Sequence, residues 1–172
     1  MRRLAIAIVL IFGIGSGHAS SLNIVVVGAS NTAGWGVGAE NAFPARLRTI
    51  LKERGINAVV TSAGVIGDTT AGMLRRIDSG AVPNKTDIVI LQPGTNDLRF
   101  FGSKQQRAAN ISAIVDRLRQ RRIRVIVLDP EIPRDHLQWD GIHYTRAAHS
   151  KFAMELAAQI TGDKGALSQK KP

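Results

Sequence analysis

The chain has 172 residues, the length of one ordinary domain, so a single fold unit is expected. Apolar residues make up 44% and charged residues 21%, proportions near the globular average that exclude wholesale disorder and a polytopic membrane protein. With no cysteine, a disulfide framework, a thiolate metal site, a cysteine nucleophile and a lipidated N-terminal cysteine are excluded, and any nucleophile is an oxygen or an amine. The formal charge of +10 needs partitioning along the chain before it carries meaning.

The first segment reads as an address. Met1-Arg2-Arg3 is a cationic head, and Leu4 to Ile14 is an apolar run of signal-peptide length, too short to span a bilayer comfortably. Gly17-His18-Ala19 supplies the small residues of a cleavage site, so cleavage after Ala19 and export to the periplasm or the medium are expected. That cleavage removes two Arg and no acid, and the exported chain stays basic. Residues 20–161 are expected to form the domain and 162–172 a disordered polar tail.

From Leu22 onward, short β-rich apolar runs alternate with stretches of helical periodicity, the pattern of a parallel sheet with helices on its faces. The reading is α/β. The runs Leu22 to Val27, Ala58 to Thr61, Asp87 to Gln92 and Val125 to Leu128 predict four strands, the first buried on both faces. Helices are predicted over Ala42 to Arg54, Thr69 to Ser79, Lys104 to Arg122 and Thr145 to Ile160. Right-handed crossovers between such strands build a small three-layer sandwich, with ligands expected beyond the carboxyl ends of the strands.

Four segments converge on that edge: Gly28-Ala29-Ser30-Asn31, Ser62 to Asp68, Gly94-Thr95-Asn96-Asp97, and Asp140-Gly141-Ile142-His143. A serine hydroxyl is a weak nucleophile until a base takes its proton, and the base works best when a third group fixes its tautomer and orientation. Ser30, His143 and Asp140 can fill those three roles, since a tight turn brings residues three apart together. Acyl transfer also needs donors aimed at the developing oxyanion. The backbone N–H groups of Ser30 and Gly67 and the side-chain amide of Asn96 are the candidates.

In this order on consecutive strand ends, the four blocks resemble those of the SGNH hydrolase superfamily, also called the GDSL lipase/esterase family. Gly28-Ala29-Ser30 matches its nucleophile block, Gly67 its glycine block, Gly94-Thr95-Asn96-Asp97 its Gly-x-Asn-Asp block and Asp140-Gly141-Ile142-His143 its Asp-x-x-His block. The resemblance covers about Leu22 to Ile160. It implies a flavodoxin-like fold with a sheet of four or five strands and a serine esterase, lipase or thioesterase that needs no metal or cofactor. By it, Ser30 is the nucleophile, His143 the base, Asp140 its orienting partner, and Gly67 and Asn96 oxyanion donors. Three departures stand out. Ala29 replaces the family's usual Asp, Ser62 stands where related thioesterases often carry Asn, and residues 97–139 leave little room for the βα unit that members commonly place there. The first and last of these motivate a rival reading, an inactive relative that binds acylated lipid or polysaccharide without turnover.

Other readings of the same residues explain less. Gly28, Gly34, Gly36 and Gly38 have neither the spacing nor the lysine of a phosphate-binding loop. Asp135, His136, Asp140 and His143 offer metal-ligand chemistry, yet that leaves Ser30 and Asn96 unexplained, and His136 is expected to be solvated. His149 shares an apolar stripe with Phe152, Leu156 and Ile160 and reads as packed. Trp35 and Trp139 flank motifs and are candidates for lining the acyl pocket, with core packing as the alternative. Seven Lys/Arg between Lys104 and Arg124 face only Asp116. Asn110, Arg117, Arg121 and Arg124 follow the helix face opposite the apolar one and no aromatics are interleaved, so this is a solvated face and no nucleic acid is expected. An exported basic protein meets anionic envelope surfaces more naturally.

Overall fold

The computed structural model describes residues 21–99 and 102–162. The expected address segment, 1–19, and the tail from residue 163 lie outside them. Four parallel strands, β1 (Leu22–Gly28), β2 (Ala58–Gly64), β3 (Ile88–Gln92) and β4 (Arg124–Val127), form one sheet in the order β2-β1-β3-β4. Six α-helical segments accompany them among the described residues: α1 (Ser30–Ala33), α2 (Phe43–Glu53), α3 (Thr70–Arg76), α4 (Asn96–Arg99), α5 (Lys104–Gln120) and α6 (Arg146–Thr161).

The alternation of the central strands divides the core into two layers. Ile24 and Val26 of β1, with Ile88 and Ile90 of β3, face α2 and α6 and pack on Phe43, Leu47, Phe152 and Leu156. Val25 and Val27, with Val89 and Leu91, face the other way onto Met73, Ile77, Ile114 and Leu118 of the α3/α5 side. Successive side chains of a strand point to opposite faces, so an unbroken Val/Ile run is what a strand covered on both sides requires. The result is the expected three-layer α/β sandwich.

Thr69, Ser103 and Thr145 cap α3, α5 and α6, each accepting a backbone N–H of the first turn. Ala42 cannot cap α2 with its side chain. The Nδ1 of the fully buried His149 accepts the N–H of Phe43 at 3.1 Å instead.

The structure corrects several expectations. β2 continues to Gly64, β4 covers Arg124–Val127 rather than 125–128, and the third helix breaks at Arg76 into a π-turn, Ile77–Ala81, that holds a left-handed Gly80. Asn110 is buried rather than solvated, because it lies one turn before Ile114 on the inward stripe. Much of the basic stripe is tied to the protein itself. Arg107 binds Asp129 and the Gly94 carbonyl, Arg117 binds Asp78, Arg121 the Val82 carbonyl and Arg124 the Gln159 carbonyl. No strand follows β4 among the described residues. It is a sheet edge, and the chain runs from it through an irregular segment directly into α6.

Candidate active site

β1 ends at Gly28, and Ser30 opens the single turn of α1 just beyond it, buried to 8% exposure. Its Oγ lies 3.0 Å from His143 Nε2, and His143 Nδ1 lies 2.5 Å from Asp140 Oδ2. The three expected residues are therefore in hydrogen-bonded sequence.

Asp140 and His143 are held by a narrow antiparallel loop. Leu137 pairs with Tyr144, Gln138 N–H donates to the His143 carbonyl at 2.7 Å, and Gly141 N–H closes a turn onto the Gln138 carbonyl at 2.9 Å. Gly141 has φ +69°, a left-handed backbone that glycine adopts at no steric cost. The turn aims the N–H groups of Ile142 and His143 at Asp140 Oδ1, at 2.9 and 3.0 Å. Burial acts to raise the Asp140 carboxyl, but the hydrogen bonds from the His143 backbone and ring and from Ile142 outweigh it and bring the carboxyl down to about 2. His143 Nδ1 thus faces a carboxylate that stays ionised at neutral pH.

Gly67 and Asn96, expected as oxyanion donors with the Ser30 N–H, share with Ser30 and His143 one cavity of about 180 Å³. Gly67 has φ +78° with open space where a side chain would be, so its backbone, not crowding, calls for glycine there. One Asn96 amide hydrogen is donated to the Asp68 carbonyl at 2.8 Å, which leaves the second for a ligand. A buried polar chain fixes α4 underneath. Asp97 accepts from Thr70 N–H at 3.0 Å and from Thr70 Oγ1 at 2.5 Å, and that hydroxyl accepts from Asn110 Nδ2 at 3.0 Å. Arg76 fixes the glycine loop by binding Asp68 at 2.7 Å and reaching the Ala63 and Gly28 carbonyls.

Of the two tryptophans, Trp35 lines the cavity, its ring centroid 5.7 Å from that of His143. Trp139 does not. It sits in the 138–141 turn with 91% of its surface exposed. His136 is half-buried rather than solvated, with Nδ1 buried and unpartnered, and it is absent from the cavity lining. Ala29 is buried in the α3/α5-side core, so the methyl that replaces the family's Asp is a packing group. Ser62 Oγ donates to the Thr32 carbonyl at 3.1 Å, a link between β2 and α1.

One residue escaped the sequence reading. Asn31, next to Ser30, is buried and ties α1 to the Asp-x-x-His loop by accepting Tyr144 N–H at 2.9 Å and donating to the Ile142 carbonyl at 3.4 Å. Only its adjacency to Ser30 hinted at this. Beneath it, Thr32 donates to Gln92 Oε1, and Gln92 Nε2 donates to the hydroxyl of Tyr144, whose burial pushes the phenol up to about 12.

Comparison with known proteins points the same way. An arylesterase of Vibrio mimicus is 26% identical over 132 residues, 76% of this chain and 66% of that protein. Esterase TesA of Pseudomonas aeruginosa is 26% identical over 119 residues, 69% of this chain and 59% of that protein. The chain thus spans just under two thirds, or less, of these relatives. The crystal structure of AlinE4, an SGNH-hydrolase family esterase, superposes with a TM-score of 0.60 at 28% identity, covering 89% of this chain and 85% of that one. The model of the GDSL-like lipase/acylhydrolase family matches residues 26–166, and the chain belongs to that family.

Proposed function

We propose that the protein is a serine hydrolase that cleaves carboxylic esters through an acyl-Ser30 intermediate. The observation that carries this reading is the 3.0 Å approach of Ser30 Oγ to His143 Nε2, with Nδ1 of the same ring on Asp140. Nε2 takes the hydroxyl proton as Oγ attacks the carbonyl carbon, while Nδ1–H stays with Asp140 and the imidazolium that forms is stabilised there. Negative charge gathers on the former carbonyl oxygen, toward the N–H groups of Ser30 and Gly67 and the free amide hydrogen of Asn96. As the bond to the leaving group breaks, His143 returns the proton to it. Water, deprotonated by the same nitrogen, then releases the acid and restores Ser30. A thioester fits these steps equally, with a thiol as the leaving group. On the reading of residues 1–19 as an export signal, the substrates are esters met outside the cytoplasm, acylated lipid or polysaccharide among them.

The test is treatment with a fluorophosphonate followed by intact-mass measurement, beside hydrolysis of a short-chain para-nitrophenyl ester. One adduct and measurable turnover are expected, both lost in Ser30→Ala. Ester binding without turnover in the unaltered protein overturns the proposal in favour of a binding module.

A further inference from the structure

We propose that Arg99 is a specificity-determining residue of the cleft and selects esters that carry an anionic group, a carboxylate, sulfonate or phosphate, beyond the scissile bond. The inference rests on the reading of Ser30 as nucleophile and names the substrate class of the same site. Arg99 stands one turn after Asn96 in α4, and it lines the cavity that holds Ser30, Gly67 and His143. It is the only Lys or Arg among the described residues of that lining.

Its surroundings leave the charge uncompensated. Arginines elsewhere on this edge are cross-links, Arg76 to Asp68 and Arg107 to Asp129, both at 2.7 Å. The remaining carboxylates of the motifs are engaged as well, Asp97 by Thr70 and Asp140 by His143. Among the described residues, no hydrogen bond or ion pair engages the Arg99 guanidinium. A planar fork of donors with no acceptor among the described residues, in the wall of a reaction cleft, is suited to bidentate recognition of an oxyanionic group.

Arg99 is exposed beside Trp35 and Ile66 of the same wall, themselves 49% and 60% exposed, so its charge is open to an arriving ester. The chain carries a formal +10, which raises the local concentration of anions at a cleft of this sign. The carbonyl oxygen itself is met by Ser30, Gly67 and Asn96. Arg99, one turn further along, meets a substituent and not the reacting centre.

The experiment compares kcat/KM for two matched pairs of esters. With the charge on the alcohol side, para-acetoxybenzenesulfonate is set against the neutral para-acetoxybenzenesulfonamide. With the charge on the acyl side, para-nitrophenyl hydrogen adipate is set against para-nitrophenyl methyl adipate. The protein is expected to favour the anionic member of at least one pair, and the pair that shows the preference identifies the side on which the anion lies. Arg99→Gln is expected to lower that anionic-to-neutral ratio about tenfold, the low end for a charge-assisted hydrogen bond partly open to water. Arg99→Lys is expected to keep part of the preference, and added salt to weaken it in the unaltered protein. Arg119→Gln, which removes an equal charge from the far end of α5, is expected to leave the ratio where it was. An unchanged ratio in Arg99→Gln, or an equal fall for both members of a pair, overturns the inference while ester hydrolysis stands. No turnover of any of the four esters overturns the hydrolase reading itself.

Discussion

The side-chain oxygen of Asn31 accepts the backbone N–H of Tyr144 at 2.9 Å, so the residue after Ser30 carries the residue after His143. The same amide donates to the Ile142 carbonyl, one residue before His143. The Ser30 to His143 distance is therefore set by a tether between segments 113 residues apart in sequence. Asn31→Ala leaves a buried N–H unpaired and should destabilise the protein by about 1–3 kcal/mol. Misplacement of the base should also lower kcat roughly 10- to 100-fold with little change in KM. Thermal melts and steady-state kinetics on one ester check both. Unchanged kcat with a lowered Tm would make Asn31 a stabilising residue only.

Asn96→Ala removes one oxyanion donor and should lower kcat by roughly 10²- to 10³-fold. KM should hold, because the missing bond is made mainly in the transition state. The side chain also secures the Asp68 carbonyl, so the control is Asp97→Asn. That change disturbs the Thr70–Asn110 network beneath α4 but keeps the Asn96 amide. It should cost more stability and less kcat than Asn96→Ala. The reverse ranking would place Asn96 in the scaffold and not in the reaction.

Which features were readable from sequence follows from the range of the interactions behind them. The continuous Val/Ile runs at 24–27 and 88–91 are local signals of strands covered on both faces, and they were legible. The motifs around Ser30, Gly67 and Asn96 were legible too, because each follows the end of β1, β2 or β3 and parallel topology brings those ends together, whereas Asp140 and His143 lie in their own loop well past β4 and were legible only from their spacing. Asn110 was not, since its partner Thr70 lies 40 residues away and a polar residue in a polar helix looks solvated. Along the basic stripe Arg117 and Arg124 are exposed, as a solvated face requires, but the acceptors that Arg107 and Arg121 find on other elements were not readable, for the same reason. The single turns α1 and α4 are too short to display a helical period, although each carries a site residue. Trp139 shows the limit of proximity in sequence: it adjoins Asp140 yet faces solvent.

Asp140→Asn should lower kcat by about 10³- to 10⁴-fold while leaving the fold in place, because an amide at this position favours the wrong imidazole tautomer. The unaltered carboxyl titrates near 2, so its protonation should not contribute to any loss of activity above about pH 3. A kcat for Asp140→Asn within tenfold of the unaltered protein would remove Asp140 from the relay.

Acid should weaken the fold in two separate windows. His149 is fully buried between Phe43 and Tyr144, and burial, with Arg46 as a second cause, lowers it from 6.5 to about 4. The unfolded chain then binds a proton that the folded one refuses, so stability is complete above about pH 6.5 and falls as pH drops toward 4, by on the order of 3 kcal/mol. Asp140 acts lower down. Its folded carboxyl titrates at about 2 against 3.8 for an aspartate free in water, so the stability it contributes is present above about pH 3.8 and lost between there and pH 2. Tm measured from pH 8 to pH 3 should decline first through the histidine window. His149→Gln removes the titrating group while keeping a polar side chain of similar reach, and it should flatten the curve between pH 6.5 and 4 at a lower overall Tm. A slope in that window unchanged by His149→Gln would show that some other group charges as the protein unfolds.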